Sequence, residues 1–429
     1  MLTREENELL CRVEGDAPMG GIMRRHWLPV CMAEEVAERD GAPVRARLLG
    51  EDLVVFRDSD GRLGVLGEYC LHRRASLAFG RNEECGLRCL YHGWKFDVEG
   101  RVIDMPSEAP GAAQRLGKKT KAYPARESGG FIWIWMGPPQ EMREFQPPAW
   151  APQPGMRYAI VKIWTDCNWA QVLEGSIDSA HSSSLHSTNM PAAEEVEGCS
   201  ATEEAWYRPS NDKAPRLQFE ATPYGFRYAA IRKPIKNPET HQYVRTTLFL
   251  APFTVLIPPN NRYKLAQMLV PIDDVNTMFY WIAWHPDPAK GITQQAWRRF
   301  CAAEVGIDLD RRYRRLRNLG NDFLQDREAM KRGDWTGIKG IPAQDMAMWE
   351  SMGRITERSE DHFGASDLAV AQFRRMMVAA AKKYAAGGAA IGAQSATPYV
   401  KLASFEGVVP KSADWRALGI AADETVAAK

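Results

Sequence analysis

Residues 70–94 read CLHRRASLAFGRNEECGLRCLYHGW, and this stretch decides the first half of the fold. Cys70 and His72 fall in one short segment and Cys89 and His92 in a second, with sixteen residues (73–88) between them. Gly80, Gly86 and Gly93 give the two segments freedom to approach one another closely. Each segment pairs one thiol with one imidazole. A zinc finger instead pairs like with like, C-x2–4-C followed by H-x3–5-H, so the pattern disfavours a structural zinc. It suits a two-iron, two-sulfide cluster in which two histidines replace two thiolates on one iron, raising its reduction potential. Tyr91 and the Trp94-Lys95-Phe96 run stand where they can shield such a cluster. Cys85 has no histidine partner and reads as a free thiol.

Around this stretch the chain alternates in short runs: VRARLLG from Val44, DLVVFRD, GRLGVLG, and GGFIWIWMG at 129–137. Asp and Gly turns separate them, which predicts a small all-β domain. Before it, residues 1–26 carry a partial apolar stripe (Leu2, Leu9, Leu10, Val13) and are expected to be helical. Prolines 147, 148, 152 and 154 place a boundary near residue 150, so the β-domain is read as 27–150. Beyond it, strand patterns such as GFRYAAIR, YVRTTLFLAPF and TMFYWIAW are flanked by helical ones. QQAWRRFCAAEV, LDRRYRRLRNLGNDFLQDREAMK and FGASDLAVAQFRRMMVAAAKKY are all expected to be helices. Residues 151–386 therefore read as a second, α+β domain, an antiparallel sheet wrapped about a helix. The Ala/Gly-rich tail, 387–429, is expected to be poorly fixed.

The second domain opens with its own ligand pattern, EGSIDSAHSSSLH at 174–186. On a continuing helix Glu174, Asp178 and His181 would share one face. His186, five residues after His181, would lie about 140° away from it. Both histidines reach one metal only if the helix ends between them, and Ser182-Ser183-Ser184 are poor helix formers placed to allow that. Two histidines and a carboxylate on one face of an iron leave positions open for O2 and water. The third ligand must come from elsewhere. Asp345, in GIPAQDMAMWESMG at 340–353, shares its helical face with Met348, Trp349 and Met352, and a carboxylate there needs a cation. Asp326 is the competitor, in a more solvated context.

Composition excludes several classes. Net charge is +1, with 45% apolar and 25% charged residues, which leaves no footprint for nucleic acid or an anionic membrane. No apolar run is long enough to cross a membrane. Eight cysteines over 429 residues are not a disulfide framework, and a cytoplasmic setting is expected. No G-x-G-x-x-G follows a strand and no plant-type ferredoxin spacing is present, so a reductase would have to be a separate protein.

On the motifs at 70–94, 174–186 and 340–353, the chain resembles the large component of the Rieske non-haem iron oxygenases, within the phthalate-dioxygenase-like group. The resemblance implies an N-terminal Rieske [2Fe–2S] domain joined to a helix-grip catalytic domain that holds a mononuclear Fe(II) at His181, His186 and Asp345. It also implies a homotrimer or stacked trimers, with Asp178 linking a cluster histidine of one protomer to His181 of the next. Glu174 would support the iron site or pair with a base. The implied function is O2-dependent hydroxylation of an aromatic carboxylic acid, phthalate-like ring dihydroxylation, driven by a separate NAD(P)H-dependent flavin/iron–sulfur reductase with or without a ferredoxin. O-demethylation of a methoxylated aromatic acid is the alternative, and a Rieske electron carrier without oxygenase activity is the alternative of another class. Because guanidinium binds carboxylate in a bidentate fork, Arg216 and Arg245 on cavity strands are the substrate candidates.

Overall fold

The computed structural model describes residues 2–194, 206–260, 263–393 and 398–419. The chain divides into two compact units, Val13–Phe145, and Met1–Arg12 together with Gln146–Lys429. The N-terminal segment is two short helices, α1 (Arg4–Cys11) and α2 (Pro18–Met23), and the first belongs to the larger unit. Thr3 and Glu6 form a capping box on α1, and Pro18 opens α2.

The smaller unit is all-β apart from α2 and the short α3 (Ala112–Leu116). Its strands are β1 (Trp27–Met32), β2 (Val44–Leu48), β3 (Glu51–Arg57), β4 (Leu63–Gly67), β5 (Arg81–Glu83), β6 (Gly86–Arg88), β7 (Lys95–Phe96), β8 (Val102–Asp104), β9 (Ala125–Ser128) and β10 (Phe131–Trp135). They form three antiparallel sheets: β1-β10-β9, β2-β3-β4 and β5-β6-β7-β8. Val54, Phe56, Leu66, Leu87, Phe96 and Trp94 make one core cluster with Cys70 and Cys89. The two thiols are thus rooted in packed interior.

The larger unit is built on an antiparallel sheet. Its strands are β11 (Tyr158–Thr165), β12 (Arg216–Thr222), β13 (Gly225–Arg232), β14 (His241–Leu250), β15 (Thr254–Asn260), β16 (Tyr263–Pro271), β17 (Thr277–Trp284) and β18 (Phe405–Pro410). The order is β11-β17-β16-β15-β14-β13-β12, with β18 added alongside β14. Helices α4 (Trp169–Ile177), α5 (Gln294–Phe300), α6 (Arg327–Lys331), α7 (Ile341–Ser351) and α8 (Leu368–Ala385) accompany it. Helix α4 packs on β15 and β16 and against both α7 and α8, giving the sheet-around-helix arrangement expected. β14, β16 and β17 are buried at consecutive positions, and because successive side chains point to opposite faces, both faces of the sheet are covered there.

Two expectations fail. The stretch 309–331 is not one helix: among its residues only α6 is α-helical. Asp310 accepts the amides of Arg312 and Arg314, Asn318 accepts that of Gly320, and Tyr313, Asp322, Phe323 and Leu324 all have positive φ. Side-chain oxygens that capture nearby amides compete with the helical ladder, and the RRYRRLR run adds like-charge repulsion. The C-terminal tail is also not loose throughout. Phe405–Pro410 forms β18, and Trp415 packs with Ala229, Ile231 and Val244, so a few apolar anchors outweigh the Ala/Gly composition.

Candidate active site

The two Cys–His loops of the smaller unit have one backbone plan. The Cys70 amide donates to Ala75 O and its carbonyl accepts from the Arg74 amide; the Cys89 amide donates to Trp94 O and its carbonyl accepts from the Gly93 amide. The residue four after each cysteine, Arg74 or Gly93, has positive φ, which turns the chain back on itself. The His72 and His92 rings meet at 4.4 Å, and Trp94 stacks on His72 at 4.8 Å. Cys70 and Cys89 are neighbours, and burial, followed by Cys89 itself, pushes the Cys70 thiol up to about 11. His72 Nδ1 is buried without a hydrogen-bond partner. The four ligands do not converge within 4.8 Å as a group of three or more, as a single zinc would require, whereas His181, His186 and Asp345 do. A thiol pair beside an imidazole pair, with an orphaned ring nitrogen, fits a two-iron cluster.

The mononuclear site is assembled by two helices of the larger unit. Helix α4 is capped by Asn168, whose side chain accepts the Ala170 amide, and it ends at Ile177. Asp178 then leaves the helix in extended geometry and accepts the amides of Ala180 (2.7 Å) and His181 (3.3 Å). That turn carries His181 into a short 3-10 segment, Ser182 and Ser183 follow, and His186 comes round to the same point. The facing helix α7 supplies Asp345. The helices touch where Gly175 lies under the Trp349 indole, so close that an added Cβ would stand 2.1 Å from Nε1.

Asp345 Oδ1 lies 3.0 Å from His186 Nε2 and 3.5 Å from His181 Nε2, and the two ring nitrogens are 3.3 Å apart. His186 Nδ1 faces Gln344 Oε1 at 2.7 Å, and the Gln344 amide nitrogen is committed to Asn189 Oδ1 and Ile338 O, both at 2.9 Å. Gln344 therefore presents an acceptor, which puts the His186 proton on Nδ1. His181 Nδ1 likewise faces Asp178 Oδ2 at 3.4 Å. In the neutral rings both Nε2 atoms then carry lone pairs that face each other and a buried carboxylate oxygen lacking any donor. Only a cation reconciles three such groups, and the set suits iron(II). Burial opposes ionisation of Asp178, but the His181 ring and the two turn amides hold its carboxyl below the usual range.

A cleft partly open to solvent adjoins the triad. Met190, Trp206, Ile257, Trp281 and Trp349 form its apolar wall; Arg208, Arg245, Ser182, Thr247 and Gln267 form the polar one. Arg245 lines it on β14 as the alternation implied, with Nη1 bound to Glu406 at 2.6 Å. Arg208 was not foreseen. Its Nη2 donates to Ser182 Oγ (2.7 Å), its Nε is buried without a partner, and burial, with Arg245 nearby, lowers its pKa to about 9. Arg208 sits in an irregular segment with no strand or helix period to mark a facing, so no sequence pattern signalled it. Gln344, adjacent to Asp345, was missed for want of any pattern.

Two anticipated residues lie elsewhere. Arg216 is exposed at the start of the outer strand β12 and does not line the cleft. Glu174 is not among the triad's neighbours but takes the second of its two expected roles, pairing with bases: Arg358 at 2.7 Å and Arg374 at 2.8 Å. Asp326 caps α6, accepting the Ala329 amide.

An all-β unit with paired Cys–His loops, followed by a helix-grip unit with two histidines and a carboxylate beside an apolar cleft, defines the terminal component of an iron oxygenase. Comparison with known proteins agrees. The Rieske [2Fe-2S] domain profile matches residues 26–124, and the "LigXa C-terminal domain like" profile matches 134–429. The chain is 59% identical to the phthalate 4,5-dioxygenase oxygenase subunit of Pseudomonas putida, covering 97% of this chain and 94% of that one. It is 34% identical to the 3-chlorobenzoate-3,4-dioxygenase oxygenase subunit of Comamonas testosteroni, covering 97% of each. In fold it is similar to dicamba monooxygenase bound to dicamba, with a TM-score of 0.58 at 18% identity over 85% of this chain and 98% of that one. The chain belongs to the Rieske non-haem iron oxygenases, as an oxygenase subunit that uses a Rieske cluster and a mononuclear iron and draws electrons from a separate reductase. Among the described residues no helix is long and apolar enough to cross a membrane.

Proposed function

We propose that this oxygenase dihydroxylates the ring of a phthalate-like aromatic dicarboxylate. The single observation that carries the reading is Arg208, a cation 4% exposed, lining the cleft beside the triad with no carboxylate within 4 Å among the described residues. A buried guanidinium bound only to hydroxyls and a thioether is a receptor awaiting an anion. Arg245 offers a second one, since its Nε and Nη2 make no hydrogen bond. The apolar wall of Trp206, Trp281 and Met190 takes the ring. The relative named phthalate 4,5-dioxygenase supports the same substrate.

In this reading Cys70, His72, Cys89 and His92 hold the cluster, and His181, His186 and Asp345 hold the iron. When bound, the iron supplies O2 activation. The chain's own residues orient the substrate by its carboxylates, exclude water from the ring with the tryptophan wall, and keep both ligand histidines in the Nδ1–H tautomer through Asp178 and Gln344. Asp178 is further proposed to link centres of neighbouring protomers in a trimeric or stacked-trimer assembly. The electron source is an NAD(P)H-dependent flavin/iron–sulfur reductase, and the setting is the cytoplasm.

The test is substrate-stimulated O2 uptake with a partner reductase, across phthalate, benzoate and methoxylated benzoates, with product identification. Phthalate giving a dihydrodiol in step with O2 supports the reading. Formaldehyde release from a methoxylated acid, with no turnover of phthalate, would replace it with O-demethylation.

A further inference from the structure

Three arginines are buried beside the cleft, Arg208, Arg232 and Arg245, with exposures of 4%, 2% and 8%. A single carboxylate meets them. Glu406 of β18 stands directly across the ladder from Arg245, and accepts from its Nη1 at 2.6 Å while the Tyr243 hydroxyl donates to the same oxygen. The other oxygen, Oε2, is buried with no donor. Arg208 donates to Ser182, Ser183 and the Met190 sulfur; Arg232 donates to Ser179 and Ser183. Neither has a carboxylate within 4 Å among the described residues. A buried guanidinium without a carboxylate is unfavourable, so Arg208, which lines the cleft, is a receptor for an anion.

Glu406 does not line the cleft; it lies behind Arg245, which does. It engages Nη1 alone, so the rest of the guanidinium is left to the cleft while the side chain is held in place. A residue so placed acts on the substrate only through Arg245.

We propose that Glu406 positions Arg245 for substrate recognition: by holding Nη1 it fixes the guanidinium so that its remaining nitrogens can bind a carboxylate of the arene. This rests on reading the cleft as an aromatic-dicarboxylate site. The C-terminal strand thereby takes part in recognition, although it contributes no atom to the cleft wall. Two substitutions separate its roles. Glu406→Gln keeps an oxygen to accept from Nη1 while removing the charge. Glu406→Ala removes the anchor as well as the charge.

The experiment is isothermal titration calorimetry of the purified full chain with phthalate. Glu406→Gln should keep phthalate affinity within about threefold of wild type, because an acceptor for Nη1 remains. Glu406→Ala should weaken phthalate by about tenfold through loss of pre-organisation. In an Arg245→Leu background neither substitution should change phthalate affinity further, because coupled residues are non-additive. Unchanged phthalate affinity in Glu406→Ala, a loss in Glu406→Gln as large as in Glu406→Ala, or effects that add to Arg245→Leu, overturn the proposal. Arg208→Leu serves as the control for the cleft itself. If it leaves phthalate binding intact, the dicarboxylate reading falls; if it abolishes binding while the Glu406 variants match wild type, only the role of Glu406 falls.

Discussion

Gln344 Oε1 lies 2.7 Å from Nδ1 of His186, and the next residue in the chain, Asp345, sets its Oδ1 3.0 Å from the other nitrogen of the same ring. One turn of α7 thus holds a ligand histidine from both ends. The amide fixes the tautomer and the carboxylate shares the metal. The geometry works because the Gln344 amide nitrogen is itself spoken for by Asn189 and Ile338.

Gln344→Leu should therefore weaken mononuclear iron binding by about 10–100-fold, the usual effect of removing a group that orients a histidine ligand. The cluster spectrum should be unchanged, since Cys70, His72, Cys89 and His92 belong to the other unit. Iron-to-sulfide ratios after dialysis check it. Gln344→Glu should restore the ring orientation and much of the affinity. Full iron retention in Gln344→Leu would show that the amide does not set the tautomer.

Arg208→Leu should raise the phthalate KM by about 10–100-fold, in line with about 1.5–3 kcal/mol for hydrogen bonds to a charged group. Steady-state kinetics with oxygen uptake measures it. Arg216→Leu, at an exposed strand position, should change neither KM nor kcat. Arg208→Lys should recover only part of the loss, because an ammonium cannot offer the planar fork.

The buried ion pair of α4 and α8 predicts an acid limit. Burial raises the Glu174 carboxyl, but Arg358 and Arg374 outweigh it and hold its pKa below the ordinary value of 4.5. A carboxyl depressed on folding adds stability that is fully present above pH 4.5 and is lost as pH falls through the folded-state value. Thermal unfolding followed at successive pH values should show this loss below pH 4.5. Glu174→Ala leaves Arg358 with no carboxylate and Arg374 with only Asp361, and should destabilise the larger unit by about 3–5 kcal/mol. A variant that melts with wild type at neutral pH would contradict the pairing.

How much of this was legible in sequence depends on whether the partners are near in the chain. The proposed cluster ligands lie within residues 70–92, and each loop closes on itself through backbone hydrogen bonds, so type and spacing suffice to propose them. His181 and His186 were proposed for the same reason, but the serines between them do not mark the helix end, since α4 already stops at Ile177. Asp345 needed a second, distant segment and stood out only as a carboxylate on an apolar face. Glu174 was left with two roles, and choosing the pairing with bases needed Arg358 and Arg374, which lie far along the chain. Arg208 and Glu406 were invisible. One sits in irregular chain, the other in a tail whose composition hid the strand partner it finds in β14.

The last prediction concerns the contact that brings the iron ligands together. Gly175 sits on α4 one turn before the His181 segment, and its missing side chain is filled by Trp349, one turn beyond Asp345 on α7. A Cβ there would stand 2.1–2.6 Å from three atoms of the indole, a rigid group that cannot yield at its tip. Gly175→Ala must then push α7 from α4, and overpacking of this kind destabilises by about 1–3 kcal/mol. Moving α7 moves Asp345 relative to both histidines, and a shift near 1 Å can lower turnover by about 10²-fold. The expected result is a folded protein with an intact cluster spectrum, reduced mononuclear iron and low product yield per O2. Gly175→Ala with Trp349→Leu should regain iron, because the smaller side chain vacates the space. If the single variant keeps full iron and turnover, the α4–α7 contact does not set the geometry of the triad.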